Sequence, residues 1–490
     1  TAANGSINMD LSKATSVQTI TIVDSGIDGT IVFDFVKSGT KVQFYDVGDT
    51  GADTHSITGV TGAAAVTIEV ADLDGSTADT YDINNFAAIT LNQVATTLAV
   101  AGASDIADLD TGAATSLTIN NTAATLALAD LSTAALTSLT VNGSKDVTIT
   151  AGGATTIKTI TAASLDAANN AAELVLGSGA AIFARATDAV ITGSDGADTI
   201  SMSVATSTHN ANVIDAGDNA TVSASVKGDM LSLGGSMTGD TVIDLSSTTD
   251  QITSLSGVTN AAVQKGFESV DGSSASMVST AKFTVTGSSG INHITTDAGA
   301  DVITAGGGAD VITAGAGIDT ITTGAGADTI ILTGIKTAAN ADNITDFLGD
   351  GTGQDILNFS AGDLGGISAA AALSTTNTAL VSTAISDATA TSINNAIDGV
   401  TGTTSGQQIV LIAGGITGAV ATAAELEAGL KASDLTGAGY VVISDSATVA
   451  RIFYDTNFDS GTDGTGLELV STIGGTVLAG ISLDSGAIIA

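Results

Sequence analysis

The chain has 490 residues, with 51 acidic against 12 basic side chains and a formal net charge of −39. Because a surface that binds nucleic acid or anionic lipid needs clustered Lys and Arg, this balance argues against both as partners. Cys, Pro and Trp are absent and aromatic residues amount to 3%, which excludes disulfide and thiol chemistry and favours a core of small aliphatic side chains in many thin layers.

Residues 1–95 are expected to form a strand-rich N-terminal domain. The segments VQTITIV (17–23), GTIVFDF (29–35) and TKVQFYD (40–46) partly alternate apolar and polar residues, as half-buried strands do. Turns rich in Gly and Asp separate these segments. We therefore expect a β-sandwich-like domain here, flanking the remainder of an all-β chain with few helices.

Residues 96–285 are expected to form a β-solenoid-like region, and residues 96–190 of it carry a looser repeat. TSLTINN (115–121) recurs as TSLTVNG (137–143), and LTSLTV (136–141) in turn resembles IKTITA (157–162). One strand motif in each repeat of about 20 residues predicts a stacked β-solenoid, with a run of similar β-meanders as the alternative. Thr recurs at fixed positions of these strands, either as a ladder on one solenoid face or through its ordinary β-propensity.

Residues 286–335 contain an array with a strict nine-residue period. Three residue types recur at that spacing: Gly299, Gly308, Gly317 and Gly326; Asp301, Asp310, Asp319 and Asp328; and Ile303, Ile312, Ile321 and Ile330. Three copies contain another glycine two residues before the recurring one, at Gly306, Gly315 and Gly324. The first copy has Asp297 at that position. The repeat resembles the calcium-binding nonapeptide G-G-x-G-x-D-x-U-x of RTX proteins, with Ala or Thr at the first position.

The resemblance implies a coil made of two nonapeptides, each a glycine turn followed by a short strand with an inward Ile. Asp301 would then stack on Asp319, and Asp310 on Asp328. Stacked carboxylates repel one another unless a cation lies between them. Calcium suits such a site because it accepts about six to eight oxygens, including backbone carbonyls, whereas zinc favours His or Cys. We therefore expect several Ca²⁺ ions on these glycines and aspartates, Asp297 included; a metal-free turn array is the alternative.

Two further copies of the motif are imperfect. GSDGADTIS (193–201) stands alone and makes Asp195 and Asp198 candidate calcium ligands, with an ordinary Gly/Asp turn as the alternative. SGINHIT (289–295) has Asn292 in place of Asp, which suggests a degenerate capping turn. His293 in this copy is expected to face solvent.

Residues 336–490 are expected to form a C-terminal β domain. DNITDFLGDGTGQDILNFS (342–360) resembles the segment that follows RTX arrays and supplies Asp342, Asp346, Phe347 and Asp355, of which Asp346 is a candidate ligand. ARIFYDTNFDSGTDGTGLELV (450–470) resembles the late strand and loop of RTX C-terminal domains. Its Asp455, Asn457, Asp459 and Asp463 either bind another calcium or form a solvated acidic loop. The resemblance also implies a type I secretion signal at the apolar end of the chain.

The only helices expected in this region lie in Ala-rich stretches, at residues 367–398 and 421–432. Strands are expected to close the chain in GQQIVLIAG, GYVVIS and ARIFYD.

No catalytic constellation is evident. The chain has three His residues, and none lies in an H-E-x-x-H motif; a G-x-S-x-G elbow and a P-loop are also missing. An enzyme acting on an acidic sugar would need a cationic or Tyr/His cluster. We therefore expect a protein that is not an enzyme.

Together, the RTX array, the acidic Thr/Ala/Gly-rich composition and the lack of Cys, Pro and Trp resemble calcium-dependent surface-layer (S-layer) proteins of Gram-negative bacteria. That resemblance implies an extracellular, cell-surface location, export by a type I system and self-association into a planar lattice. Some members anchor to lipopolysaccharide through an N-terminal domain, which makes lipopolysaccharide a candidate partner, although no clear equivalent is recognised here. An RTX adhesin or ice-binding module and an extracellular matrix filament are the alternatives.

Overall fold

A computed structural model describes residues 6–24, 30–46, 54–72, 79–93, 106–122, 125–132, 135–152, 156–165, 172–177, 186, 188–203, 212–217, 222–277, 280–332, 341–348, 353–359, 378–381, 409–412, 439–444, 449–455 and 468–475. Within these ranges the regular elements are strands. No helix in the described ranges is long and apolar enough to cross a membrane.

The first half of the chain supplies many short strands. In order they are β1 (Ser6–Asp10), β2 (Thr19–Asp24), β3 (Thr30–Val36), β4 (Thr40–Asp46), β5 (Thr54–Asp72), β6 (Asp79–Gln93), β7 (Ile106–Asp110), β8 (Ser116–Asn121), β9 (Leu126–Leu131), β10 (Ser138–Gly143), β11 (Val147–Gly152), β12 (Thr159–Leu165), β13 (Leu174–Leu176), β14 (Val190–Thr192), β15 (Thr199–Ser203), β16 (Val213–Asp215) and β17 (Met230–Met237).

The second half continues in the same way. Its strands are β18 (Thr241–Asp244), β19 (Ile252–Leu255), β20 (Val258–Thr259), β21 (Gln264–Lys265), β22 (Ser269–Met277), β23 (Phe283–Thr286), β24 (His293–Thr295), β25 (Val302–Thr304), β26 (Val311–Thr313), β27 (Thr320–Thr322), β28 (Thr329–Leu332), β29 (Asp342–Ile344), β30 (Ile356–Phe359), β31 (Thr378–Val381), β32 (Ile409–Ile412), β33 (Gly439–Ser444), β34 (Val449–Asp455) and β35 (Glu468–Gly474). The chain forms two compact units, here called unit 1 (residues 1–236 and 247–275) and unit 2 (237–246 and 276–490).

Unit 1 is a parallel β-solenoid with two series of stacked strands. One series runs β1, β3, β5, β6, β7, β9, β11, β13, β15 and β17. The other runs β2, β4, β5, β6, β8, β10, β12, β14, β16 and β21. Every neighbouring pair in both series is parallel, so each turn of the chain adds one strand to each face.

The register of the solenoid agrees with the repeat read from the sequence. Leu117 pairs with Leu139, and Leu139 pairs with Ile160, which are the equivalent positions of the three repeated motifs. All three side chains are buried, whereas the residue that follows each of them in its strand is half-buried, as the period of two in a strand requires. Parallel pairing confirms the solenoid and rules out the β-meander, whose neighbouring strands are antiparallel.

The N-terminal strands differ from the sandwich-like flank that the sequence suggested. β5 pairs with β6 in parallel over both faces, and β6 continues in parallel into β8. Positive φ angles at Gly62 (79°) and Asn85 (65°) mark the corners at which β5 and β6 change face. Alternation of apolar and polar residues indicates a half-buried strand but not the direction of its neighbour, which is why the sequence did not distinguish the two folds.

Unit 2 contains a narrower coil built by the nonapeptides. β23, β25, β27, β29 and β35 form one parallel series, and β24, β26, β28 and β30 form the other. The recurring Ile of each repeat is fully buried, at Ile303, Ile312, Ile321 and Ile330. The inward Ile and the coil of two nonapeptides predicted for the array are therefore confirmed.

The end of the chain is also built of strands. β31, β32 and β33 pair in parallel, whereas β33, β34 and β35 pair antiparallel. The strands expected in GQQIVLIAG, GYVVIS and ARIFYD are thus present. The helix predicted over 367–398 is wrong at 378–381, which is β31, because neighbouring strands override the helix propensity of Ala. The remainder of that stretch and 421–432 lie outside the described residues.

Candidate metal centre

Glycine shapes the turns of the array. Six glycines have positive φ, between 83° and 152°: Gly306, Gly308, Gly315, Gly317, Gly324 and Gly326. A Cβ at Gly317 would overlap the carbonyl oxygen of Gly299 in the coil before it, and a Cβ at Gly326 would overlap that of Gly308. Glycine is therefore needed both for the backbone angle and for the close approach of stacked turns. The first turn differs, since Asp297 and Gly299 do not have positive φ.

The aspartates form two ladders, and each residue lies directly before a strand, except Asp342, which is the first residue of β29. We call Asp301, Asp319 and Asp342 the first array ladder. The backbone N–H of Asp301 donates to Oδ1 of Asp319 (2.7 Å), and that of Asp319 donates to Oδ1 of Asp342 (3.1 Å). The N–H of Phe283 donates to Oδ1 of Asp301 in the same way (2.7 Å). Each carboxylate thus accepts a hydrogen bond from the preceding coil.

The second array ladder consists of Asp310, Asp328 and Asp355. The N–H of Asp310 donates to Oδ1 of Asp328 (2.8 Å), and that of Asp328 donates to Oδ1 of Asp355 (3.1 Å). Asn292 begins this ladder, with its N–H on Oδ1 of Asp310 (2.7 Å). The predicted stacking of Asp301 on Asp319 and of Asp310 on Asp328 is therefore present in the structure.

The second oxygen of these carboxylates identifies the candidate cation positions. Among the described residues, no hydrogen-bond donor contacts the buried Oδ2 atoms of five aspartates: Asp297, Asp301, Asp310, Asp319 and Asp328. A buried carboxylate oxygen without a donor is costly unless a cation neutralises it. The array therefore fits a cation, with one carboxylate oxygen fixing the backbone and the other left to coordinate.

Burial is the largest cause of raised pKa values along both ladders. It raises the pKa of Asp310 to about 7 and that of Asp328 to about 6, with the facing carboxylates adding to the rise. The pKa values of Asp319 and Asp342 are raised by burial and by the close approach of acids in the ladder. A bound divalent cation would reverse this effect, because it favours the ionised carboxylate.

The donor set determines which cation fits. The described residues contain no group of three or more His, Cys, Asp or Glu side chains that could hold a metal ion by themselves. A site made of two stacked carboxylates therefore needs further ligands, and the glycine turns offer backbone carbonyl oxygens. Such an all-oxygen set suits calcium, whereas zinc would require His or Cys.

Asp297 and Asp346 occupy opposite ends of the array turns. Oδ1 of Asp297 accepts from the N–H of Gly299 (3.1 Å), and burial raises the pKa of Asp297 to about 6. Oδ1 of Asp346 accepts from the N–H of Thr323 (2.8 Å), and Oδ2 accepts from that of Gly324 (2.9 Å). Asp346 thus caps the last turn with both oxygens, while Asp297 retains an unpartnered one.

The predicted ligands outside the array have different surroundings. Oδ1 of Asp198 accepts from the N–H of Leu174 (2.7 Å) and Oδ2 accepts from that of Ser194 (2.5 Å), so both oxygens have partners, while Asp195 is half-buried beside it. The structure describes Asp455 only as the end of β34. Asn457, Asp459 and Asp463 lie outside the described residues.

Some residues at the site were underestimated from the sequence. Asp342 and Asp355 complete the ladders, at offsets of 23 and 27 residues that break the nine-residue period. Asn292 caps its own turn by accepting the N–H of Ser288 (2.7 Å), as expected for a degenerate copy. The expectation that His293 faces solvent is wrong, because it lies in β24 with 8% of its surface exposed.

Comparison with known proteins supports the metal assignment. Residues 286–321 and 304–333 match the family model described as RTX calcium-binding nonapeptide repeat (4 copies). No curated protein and no solved structure matches the chain. The chain thus carries RTX calcium-binding repeats over about a tenth of its length, and these fit a secreted calcium-binding structural or adhesin-like protein.

Proposed function

We propose that this chain is a structural surface-layer protein that is secreted by a type I system and assembles into a calcium-dependent two-dimensional lattice on the cell surface. The observation that carries the proposal is the pair of array ladders, in which buried carboxylate oxygens of Asp301, Asp310, Asp319 and Asp328 have no hydrogen-bond donor. The parallel β-solenoid of unit 1 and the calcium-dependent coil of unit 2 are each built of repeated strands, and repetitive structures of this kind suit the subunits of a lattice.

Calcium couples this architecture to location. Where calcium is scarce, repulsion between the stacked carboxylates keeps the array loose and the chain suitable for export. In a medium with millimolar calcium, the free energy of binding becomes free energy of folding. Folding is thereby delayed until the chain is outside the cell.

The negative charge of the molecule affects how copies associate with one another and with the cell surface. With a net charge of −39, copies repel one another until cations neutralise their faces. We propose that calcium also bridges neighbouring copies in the lattice, through heterologous or rotationally symmetric contacts. Lipopolysaccharide is a compatible anchor, because its phosphates can share divalent cations with an acidic protein surface.

Electron microscopy of the purified full chain tests this proposal. Samples in millimolar calcium and in excess chelator are compared by negative stain. Ordered sheets that form with calcium and dissolve with chelator are the expected result. Monodisperse particles under both conditions would exclude a lattice formed by this chain alone, and fibres would support the matrix filament.

An adhesin or ice-binding module is the second candidate, favoured by one observation in unit 1. Threonines on six consecutive coils pair in register and are half-buried: Thr67, Thr90, Thr118, Thr140, Thr161 and Thr192. Their spacing is that of adjacent strands, about 4.8 Å, which makes a regular row of hydroxyl groups. If the parent chain shows thermal hysteresis and the variant with Thr118 and Thr140 replaced by Lys loses it, ice binding is established. If the parent chain shows no thermal hysteresis, the lattice is favoured.

A further inference from the structure

Unit 1 contains a third row of stacked acids, of which the sequence repeat marked only Asp198, in the isolated copy GSDGADTIS. Asp198, Asp229 and Glu268 lie directly before β15, β17 and β22, and we call them the solenoid ladder. The N–H of Asp198 donates to Oδ1 of Asp229 (2.8 Å), and that of Asp229 donates to Oε2 of Glu268 (2.8 Å). The offsets are 31 and 39 residues, so the row is created only by the stacking of coils.

The solenoid ladder repeats the hydrogen-bond pattern of the array ladders. In each ladder the N–H of one acid donates to the carboxylate of the acid on the next coil. Asp229 is fully buried, and among the described residues no donor contacts its Oδ2. Asp229 thus has the same environment as Asp301 and Asp319, with one oxygen on the backbone and one without a hydrogen-bond partner.

The surroundings of Asp229 are acidic. Burial raises the pKa of Asp229 to about 9, with repulsion by Glu268, Asp198 and Asp215 contributing to the rise. The nearby cation Lys265 forms an ion pair with Asp215 (2.8 Å) in which both side chains are about two-fifths exposed. The row of acids also extends to the preceding coil, where Glu173 has a pKa raised by burial and by the charges of Asp146 and Asp198.

We propose that Asp229 and Glu268 bind a divalent cation of the calcium type, at a site in unit 1 separate from the nonapeptide array. The donors observed there are the carboxylate oxygens of Asp229 and Glu268, and oxygen donors suit calcium and not zinc. Asp198 is a positioning residue, because both its oxygens accept hydrogen bonds and its N–H holds Asp229 in place. The cation would stabilise three coils whose strands are separated by long insertions.

The rival explanation is that Asp229 is a neutral carboxylic acid. The Asp229→Asn variant distinguishes the bound cation from the neutral acid. The amide is nearly isosteric with a neutral carboxylic acid but lacks the negative charge that a cation needs. Glu268→Gln makes the same change at the second ligand. Asp271→Asn is the matched control, since Asp271 is a half-buried acid of the same strand, β22, and its Oδ1 accepts a hydrogen bond from the N–H of Ser273.

Hydrogen–deuterium exchange of the full chain, in chelator and in millimolar calcium, measures calcium binding both at the solenoid ladder and at the nonapeptide array. In the parent chain and Asp271→Asn, calcium should slow exchange of amides in 193–203 and 229–237 about tenfold at a concentration about ten times Kd. Asp229→Asn and Glu268→Gln should lose this protection and keep the calcium-dependent protection of 296–332. Equilibrium dialysis should show that each of these two variants binds one calcium ion fewer per chain than the parent chain does.

The outcomes are distinct. If calcium protects 193–203 and 229–237 equally in Asp229→Asn and in the parent chain, or does not protect them at all, the solenoid site is excluded. If 296–332 gains no protection in the parent chain, the calcium function of the array fails, whatever happens in unit 1.

Discussion

At the residue scale, each aspartate of the array ladders serves the fold and the cation with different oxygens. Oδ1 of Asp319 holds the N–H of Asp301, while Oδ2 is buried without a donor. The glycines beside them are equally constrained, because stacked turns leave no space for a Cβ at Gly317. A metal site here thus depends on residues that contribute no side-chain ligand at all.

We expect Gly317→Ala to destabilise the calcium-bound array and Gly290→Ala to be tolerated. Gly317 has φ of 141°, and an added Cβ would meet the carbonyl oxygen of Gly299. The cost should be at least about 1–3 kcal/mol, the range for a residue held in a backbone region reserved for glycine. Gly290 is the matched control, because the nearest atom to its added Cβ is Oγ of Ser288 at 3.7 Å.

Thermal unfolding in millimolar calcium, followed by circular dichroism, measures the difference between these two variants. Equal midpoints for Gly317→Ala and Gly290→Ala would contradict the stacking of turns described for the array.

At the element scale, no coil is stable by itself. A strand of the array has three or four residues and fully buries one Ile, so its stability comes from the coils on either side. In unit 1 the strands β8 to β11 have six residues each, and each buries two or three aliphatic side chains, such as Leu139 and Val141 of β10. Unit 1 strands between β8 and β11 thus rely on apolar packing, whereas the array relies on cations.

We expect Leu139→Ala to cost about 2–5 kcal/mol, the usual range for truncating a buried Leu. Its neighbour Thr140 is half-buried on the outer face, so Thr140→Ala should change stability by no more than about 0.5 kcal/mol. Because a solenoid couples only neighbouring coils, the loss should be concentrated in β8, β10 and β12.

Hydrogen exchange of the two variants tests this locality. A uniform loss of protection across all described strands of unit 1 in Leu139→Ala would mean that the solenoid unfolds as one cooperative body.

At the scale of the whole molecule, charge sets the conditions for folding. The chain carries a formal charge of −39, and the most deeply buried acids belong to the ladders. Counterions must therefore compensate both a diffuse surface charge and a few specific buried carboxylates. Salt screens the first, whereas the second is compensated by a bound cation or by protonation of the carboxylate.

We expect the calcium-free protein to lose stability as pH rises from about 5 to about 8. The folded pKa values of Asp310 (about 7) and Asp328 (about 6) lie above the ordinary 3.8, so the folded chain holds more protons than the unfolded chain in this window. Stability then falls with pH, because deprotonation favours the state with lower pKa values. Calcium should reverse the trend, since it binds the ionised carboxylates.

Urea unfolding at pH 5 and pH 8, in chelator and in calcium, checks the sign of both effects. A chelated protein that is more stable at pH 8 than at pH 5 would show that other titrating groups, and not the ladders, dominate its pH dependence.

The sequence by itself determined the parts of this protein in which the coils have constant length. The nine-residue spacing predicted the array, its inward Ile residues and the stacking of Asp301 on Asp319, and the recurrence of the TSLT motif predicted the coils around Leu139. A constant length makes stacked positions recur at a fixed interval, which can be read without coordinates.

Only the tertiary structure decided the rest. Asp342 and Asp355 extend the array ladders across offsets of 23 and 27 residues, and Asp229 joins Asp198 across 31. The parallel direction of the N-terminal strands was also decided there. The reason is physical: insertions at the turns change the spacing in the sequence, whereas stacking depends only on strand pairing, which returns each acid to the same edge of the coil.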